Sequence, residues 1–246
     1  MKLVQNLFPF LSWHETGRLG RLAFVSGDAA ASLASDHIPP HMNPDENRQG
    51  WAERSGEFSP AYYAEIGPNE VSDTLAEVFD HYVPQDAAVL EIGCSSGRHL
   101  ERLRAEGYEN LTGIDINEES FEVMAEYFPP LARTGTFHTG AIEELVPEMD
   151  DGQFDVIFSV ETLQHVHPEN EWVFEELVRV TDDLLITAEN EGNSPERGRP
   201  DSSVSYVHDE FPLYHRDWNE VFSALGLAQL LREPGKRDTV RVFRTV

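Results

Sequence analysis

Val89-Leu90-Glu91-Ile92-Gly93-Cys94-Ser95-Ser96-Gly97-Arg98-His99-Leu100 is the stretch on which the reading of the chain turns. A short apolar run leads into Glu91, a glycine- and serine-rich segment follows, and a helix-compatible segment starts near Gly97, so the pattern predicts strand, tight turn, helix. Gly93 and Gly97 allow backbone conformations closed to residues with a Cβ and let a ligand approach the main chain. The helix behind them turns its free N–H groups and positive dipole end to the same spot. Glu91 at the strand end argues against a phosphate there and suits a cationic or hydroxyl-bearing ligand. Cys94 and Ser95 are small residues placed to line such a cleft; Cys94 as a nucleophile is the alternative, although no His or Asn is placed by sequence to activate it.

Residues 111–117 read as a second strand ending in Asp115, with Ile116 beside it. Asp115 lies 22 residues beyond Gly93, close to the roughly 20 at which a carboxylate can accept hydrogen bonds from both ribose hydroxyls; a turn or helix-capping acid is the alternative. A helix opened by Asn117 is expected to end at Pro129-Pro130, and residues 134–139 read as a third strand. Residues 153–160, which include Ser159 and Val160, form the clearest buried strand of the chain. A helix around residues 172–178 and a fifth strand at 184–188 follow. Residues 189–205 read as a long hydrophilic loop, succeeded by aromatic and His residues and then by a helix from Trp218. Two closing strands flank Glu233-Pro234-Gly235-Lys236. Upstream, Asn69 or Ser72 caps a helix running to Tyr82; residues 36–59 read as a loop or arm; Tyr62 and Tyr63 line the substrate side or fill core. The apolar cluster Leu7, Phe8, Phe10, Leu11 and Trp13 reads as a packed helix or lid.

Glu91-Ile92-Gly93-Cys94, followed by Gly97-Arg98, resembles motif I of the class I S-adenosylmethionine (SAM)-dependent methyltransferases, with Ser95 at the position of the middle glycine. Phe154-Asp155-Val156-Ile157 followed by Leu163-Gln164-His165-Val166 resembles the motif IV region of small-molecule members. The resemblance covers roughly residues 70–246. It implies an α/β fold with a Rossmann-like, seven-stranded, mostly parallel sheet of order 3-2-1-4-5-7-6 and helices on both faces. The methyltransferase domain is then residues 71–246, preceded by a helical extension or lid over residues 1–70. It further implies SAM as cofactor, held by Glu91, Gly93, Cys94, Ser95, Gly97, Asp115 and Ile116. Ala141 and Ile142 would meet the adenine by apolar stacking and backbone hydrogen bonds, and the strand end at Ser159 and Val160 would border the transferable methyl. His165 or His167 is the candidate general base, His165 first; alternatively His165 orders its loop by bonding a backbone carbonyl.

Acidic residues outnumber basic ones 45 to 18, giving a net charge of −27, and Lys2 and Lys236 are the only lysines. Such a chain lacks the clustered cations that phosphate backbones require, so no nucleic-acid partner is expected. An acidic excess spread along the whole sequence fits concentrated salt, where self-repulsion is screened, so a halophilic, archaeal cytoplasm is expected, with an ordinary acidic enzyme as the alternative. The single cysteine excludes an internal disulfide and a Cys-based zinc cluster, and no metal site is expected. No apolar run reaches the roughly 18 residues of a membrane span. The expected acceptor is a small polar molecule methylated on oxygen or nitrogen, with a sugar, a glycolipid-linked sugar or a uronic acid the favoured class. Arg216 and Arg197 or Arg199 could hold its carboxylate, unless Asp217 merely starts a helix there. Competing functions are an NAD-dependent oxidoreductase, which predicts more glycines in the turn, and a non-catalytic SAM-binding subunit, which predicts a damaged cofactor site.

Overall fold

A computed structural model of the chain describes residues 42–192, 204–207 and 211–246. The apolar cluster near the N-terminus, Arg197 and Arg199 lie outside these residues. In chain order come α1 (Pro44–Ala52), α2 (Pro60–Ile66), α3 (Glu70–Tyr82), β1 (Val89–Ile92), α4 (Arg98–Ala105) and β2 (Leu111–Asp115). Then follow α5 (Ser120–Tyr127), α6 (Pro129–Thr134), β3 (Thr136–Thr139), α7 (Ile142–Leu145), β4 (Phe154–Val160) and α8 (Val173–Val180). The chain closes with β5 (Thr181–Glu189), β6 (Val204–Val207), β7 (Phe211–Tyr214), α9 (Trp218–Ala224), β8 (Ala228–Pro234) and β9 (Thr239–Arg244).

The main sheet has seven strands in the order β3-β2-β1-β4-β5-β9-β8, and β6 and β7 pair separately as a small hairpin. With that hairpin set aside the order is the predicted one. Strands β1 to β5 are parallel, while β9 runs antiparallel to β5 and β8 antiparallel to β9. Strand pleating divides the core in two. Val89, Val156, Phe158, Ile186 and Val242 face Leu75, Phe79, Leu100 and Leu103 of α3 and α4, whereas Leu90, Ile157, Leu185 and Phe243 face Phe174, Leu177, Trp218 and Phe222 of α8 and α9. Both faces are buried, which is why the central strands read as near-continuous apolar runs.

Three elements differ from expectation. Residues 36–59 contain α1 rather than only a loop: Pro44 takes the first helical position, where a missing N–H costs nothing, and Asn43 and Glu46 close a capping box. Pro129-Pro130 end α5 but also open α6, so the third strand begins at Thr136 instead of 134. The fifth strand extends to Glu189, and part of the region read as loop and aromatic segment forms the β6–β7 hairpin. Asn69 caps α3, with Ser72 completing its capping box, and Asp217 caps α9 through the N–H groups of Asn219 and Glu220.

Candidate active site

Strand order reverses between β1 and β4, and the crevice at their carboxyl ends is where open α/β sheets bind ligands. A cavity of about 170 Å³ opens there. Gly93, Cys94, Ser95, Asp115, Ile116, Ala141, Ile142, Val160, His165 and His167 all stand on its wall. Glu91, Gly97 and Ser159 lie behind that wall and do not line it.

The turn after β1 is built from left-handed backbone: φ is +67° at Gly93, +48° at Ser95 and +80° at Gly97. Ser95 holds that conformation without being glycine, and its N–H donates to Asp115 Oδ2 at 2.8 Å. A Cβ on Gly93 would lie 2.3 Å from Thr162 Oγ1, and one on Gly97 would lie 2.7 Å from Met124 Cε. Both glycines therefore allow close packing inside the protein, Gly93 against the loop after β4 and Gly97 against the core, while Gly93 also stands on the cavity wall. Cys94 is buried, its thiol points at the Ser95 carbonyl, and burial together with Asp115 and Glu91 pushes its pKa well up. A thiol that stays protonated is a wall group and not a nucleophile.

Asp115 fills the turn role considered for it and also stands on the cavity wall. Oδ1 accepts from Asn117 N–H (2.8 Å) and from Ser120 Oγ (3.0 Å), and Oδ2 accepts from Ser95 N–H. A carboxylate offers about four acceptor sites, so roughly one stays free towards the cavity, enough for a single hydroxyl rather than two. Burial raises its pKa against these hydrogen bonds. Glu91 is 1% exposed, one carboxylate oxygen has no partner among the described residues, and burial pushes its pKa well up while Arg98 opposes the shift.

The loop after β4 is held from below by Glu189, a residue the sequence reading placed at a loop start. One of its oxygens accepts from Ser159 Oγ (2.5 Å), Thr162 N–H (3.2 Å) and Leu163 N–H (3.1 Å), and the other from Gln164 N–H (3.1 Å). The Ser159 hydroxyl therefore faces Glu189. Burial raises the Glu189 pKa to about 7 in spite of these donors. Glu161, just before the loop, has φ +51° and pairs with Arg237.

His165 Nδ1 donates to the Pro212 carbonyl at 3.0 Å, and the His165 carbonyl accepts from Asn47 Nδ2 at 2.6 Å. Its ring packs 4.5 Å from that of Trp51. The loop-ordering role is thus present, and the same bond leaves Nε2 as a bare acceptor; burial lowers the pKa to about 4, so the ring is neutral at neutral pH. His167 is the reverse case. Its Nδ1 accepts from Glu169 N–H at 3.2 Å, so in the neutral ring of this geometry the proton sits on Nε2, which is then a donor and not an acceptor.

Sequence reasoning missed Asn47 and Trp51 on the cavity wall, because α1 was not recognised; the Asn43-Pro44…Glu46 capping signature was the signal for it. Tyr63 lines the cavity and Tyr62 does not. Arg216 is not on the wall. Its guanidinium donates to Glu171 Oε1 at 2.8 Å and the Val166 carbonyl at 2.7 Å and lies beside Phe174, Tyr214 and Trp218. The carboxylate-binding role suggested for it gives way to bracing the loop, because its donors are already used. Among the described residues no group of three His, Cys, Asp or Glu side chains gathers as a metal site, and no helix is long and apolar enough to cross a membrane.

A mostly parallel seven-stranded sheet closed by an antiparallel strand pair, with its crevice at the β1/β4 switch, is the Rossmann-like architecture of methyltransferases. Residues 89–183 match the family described as "Methyltransferase domain". A tRNA U34 carboxymethyltransferase of Actinobacillus succinogenes is 37% identical over 92 residues, 36% of this chain and 27% of that protein. A ubiquinone biosynthesis O-methyltransferase of Rickettsia bellii is 25% identical over 131 residues, 53% of this chain and 52% of that protein. An Escherichia coli O-antigen chain terminator, a bifunctional methyltransferase/kinase, is 28% identical over 104 residues, 40% of this chain and 14% of that protein. The matched regions thus span at most about half the length of these relatives. Among solved structures, a Burkholderia thailandensis 1,6-didemethyltoxoflavin-N1-methyltransferase bound to S-adenosylhomocysteine superposes with a TM-score of 0.58 at 18% identity, covering 72% of this chain and 78% of that one. The magnesium protoporphyrin IX methyltransferase of Synechocystis with bound SAM gives 0.53 at 16% identity, covering 83% and 93%. These superpositions establish the shared fold.

Proposed function

We propose that the protein is a SAM-dependent methyltransferase acting on an oxygen or nitrogen of a small polar acceptor. The observation that carries this reading is the convergence of the Gly93 turn, Asp115 and the His165 loop on one cavity at the switch point. The residues fit an adenosyl group: Asp115 keeps about one acceptor site for a ribose hydroxyl, and Ile116, Ala141 and Ile142 give an apolar surface for a purine. Bound SAM would supply a methyl on a sulfonium, a good leaving group, so the protein's task is chiefly alignment and exclusion of water. Trp51, Tyr63 and the His165 ring wall the acceptor side. For a hydroxyl acceptor, the bare Nε2 of His165 takes the proton; His167 in its present tautomer donates a hydrogen bond instead. A carboxylate acceptor needs no base.

The favoured acceptor class is a sugar or uronic acid of a glycan or glycolipid. The aromatic wall suits a sugar face, and one relative acts in O-antigen termination. The acidic composition supports work in a salt-rich cytoplasm. Residues 71–246 are taken as the catalytic domain, with the preceding segment as its lid. Calorimetric titration with SAM and with NAD in molar KCl tests the reading, with Gly93→Arg as a control against unspecific binding. Binding of NAD in preference to SAM, or of neither, would end it.

A further inference from the structure

Most of the chain's described arginines are satisfied. Arg241, 5% exposed, bonds Glu191 through two nitrogens at 2.6 and 3.1 Å; Arg104 bonds Glu101 at 2.7 and 2.9 Å; Arg244 bonds Asp183 at 2.8 Å. Arg98 is the exception on the cavity wall. It is 7% exposed, and its guanidinium carbon lies 4.5 Å from the centroid of the Tyr63 ring. No hydrogen bond or ion pair engages its guanidinium among the described residues. Glu91 and Asp238 act on it only as charges without a hydrogen bond, and the Arg237 guanidinium opposes its charge. Withdrawing a guanidinium from water without acceptors for its five N–H groups is costly, and one aromatic face offsets only part of that cost. A planar donor fork on a cavity wall matches a carboxylate, which it can grip with two parallel hydrogen bonds.

We infer that Arg98 is the carboxylate-binding residue of this cavity, with the Tyr63 ring fixing the plane of its guanidinium. The inference rests on the proposed methyltransferase reading, because the cavity is the same. Arg98 is the first residue of α4, directly after the Gly93–Gly97 turn, so the carboxylate belongs either to the amino-acid tail of the cofactor or to an acidic acceptor.

The test compares wild type, Arg98→Gln and Arg98→Lys by calorimetry with three probes. These are S-adenosylhomocysteine, 5′-methylthioadenosine, which lacks the amino-acid tail, and glucuronate, run with and without S-adenosylhomocysteine. If the tail carries the carboxylate, Arg98→Gln weakens S-adenosylhomocysteine by about 10-fold or more and leaves methylthioadenosine unchanged. If the acceptor carries it, both nucleosides bind normally and glucuronate binding is lost. Arg98→Lys, a point charge without the fork, falls between wild type and Arg98→Gln in whichever arm responds. Unchanged binding of all three probes, or equal weakening of both nucleosides, overturns the inference. Failure of the wild type to bind either nucleoside counts against the methyltransferase reading instead, and the glucuronate arm still judges Arg98.

Discussion

Gly93→Ala tests whether the turn after β1 and the loop after β4 are packed as one unit. The new Cβ would sit 2.3 Å from Thr162 Oγ1, 2.5 Å from Cγ2 and 2.9 Å from Cβ, at a backbone φ of +67°. Left-handed backbone costs a residue with a Cβ about 1–2 kcal/mol, and forcing an extra carbon into a packed site costs about 1–3 kcal/mol. A small gain of about 0.4–1 kcal/mol comes from the stiffer unfolded chain. The expected loss is therefore about 2–4 kcal/mol, read from urea unfolding in molar KCl. Adding Thr162→Gly removes the three clashing atoms while the φ strain remains. The double-mutant cycle should return a coupling of about 1–3 kcal/mol, the packing part alone. Coupling within about 0.3 kcal/mol of zero would mean that the two segments yield independently, and the account of Gly93 as a packing glycine would be wrong.

Asp115→Ala should weaken S-adenosylhomocysteine at least about 10-fold by calorimetry, whereas Ser120→Ala, which removes only an internal hydrogen bond to the same carboxylate, should stay within about 3-fold. Glu189 is raised from 4.5 to about 7, so the folded protein holds the extra proton between those pH values and the residue's contribution to stability falls as pH rises through that window. Glu189→Gln should remove that slope, up to about 1.4 kcal/mol per pH unit in chemical denaturation, and an unchanged slope would discredit the buried-carboxylate account. His165 acts in the opposite sense: its folded pKa of about 4 lies below 6.5, so acidification below 6.5 costs stability, and His165→Asn should lessen that acid sensitivity. Lowering KCl from about 3 M to about 0.1 M lengthens the screening distance from under 3 Å to about 10 Å and should lower the melting temperature; an unmoved value would count against adaptation to salt.

The sheet was legible because its signals are local. The apolar run before Gly93, the Phe154 to Val160 strand and the 22-residue spacing to Asp115 each follow from period-two patterning and glycine placement. The seven-stranded order came from the resemblance rather than from periodicity, since no short-range pattern states which strands become neighbours. What escaped was long-range. Nothing in Glu189 itself announces that four donors 25 to 30 residues earlier will converge on it, and Asn47 is 118 residues from the carbonyl it bonds. Arg216 misled because an arginine among aromatics looks alike whether it awaits a ligand or braces a loop. Gly97 is ambiguous in a similar way, since a small residue can make room for a ligand or for Met124.

The Asn47 bond to the His165 carbonyl has a practical corollary. A minimal fragment cut at residue 70, where the recognisable motifs begin, would keep every strand and lose both Asn47 and the Trp51 ring beside His165. Such a fragment should fold yet leave one side of its crevice unroofed, so a silent truncation would speak to missing masonry rather than to missing chemistry.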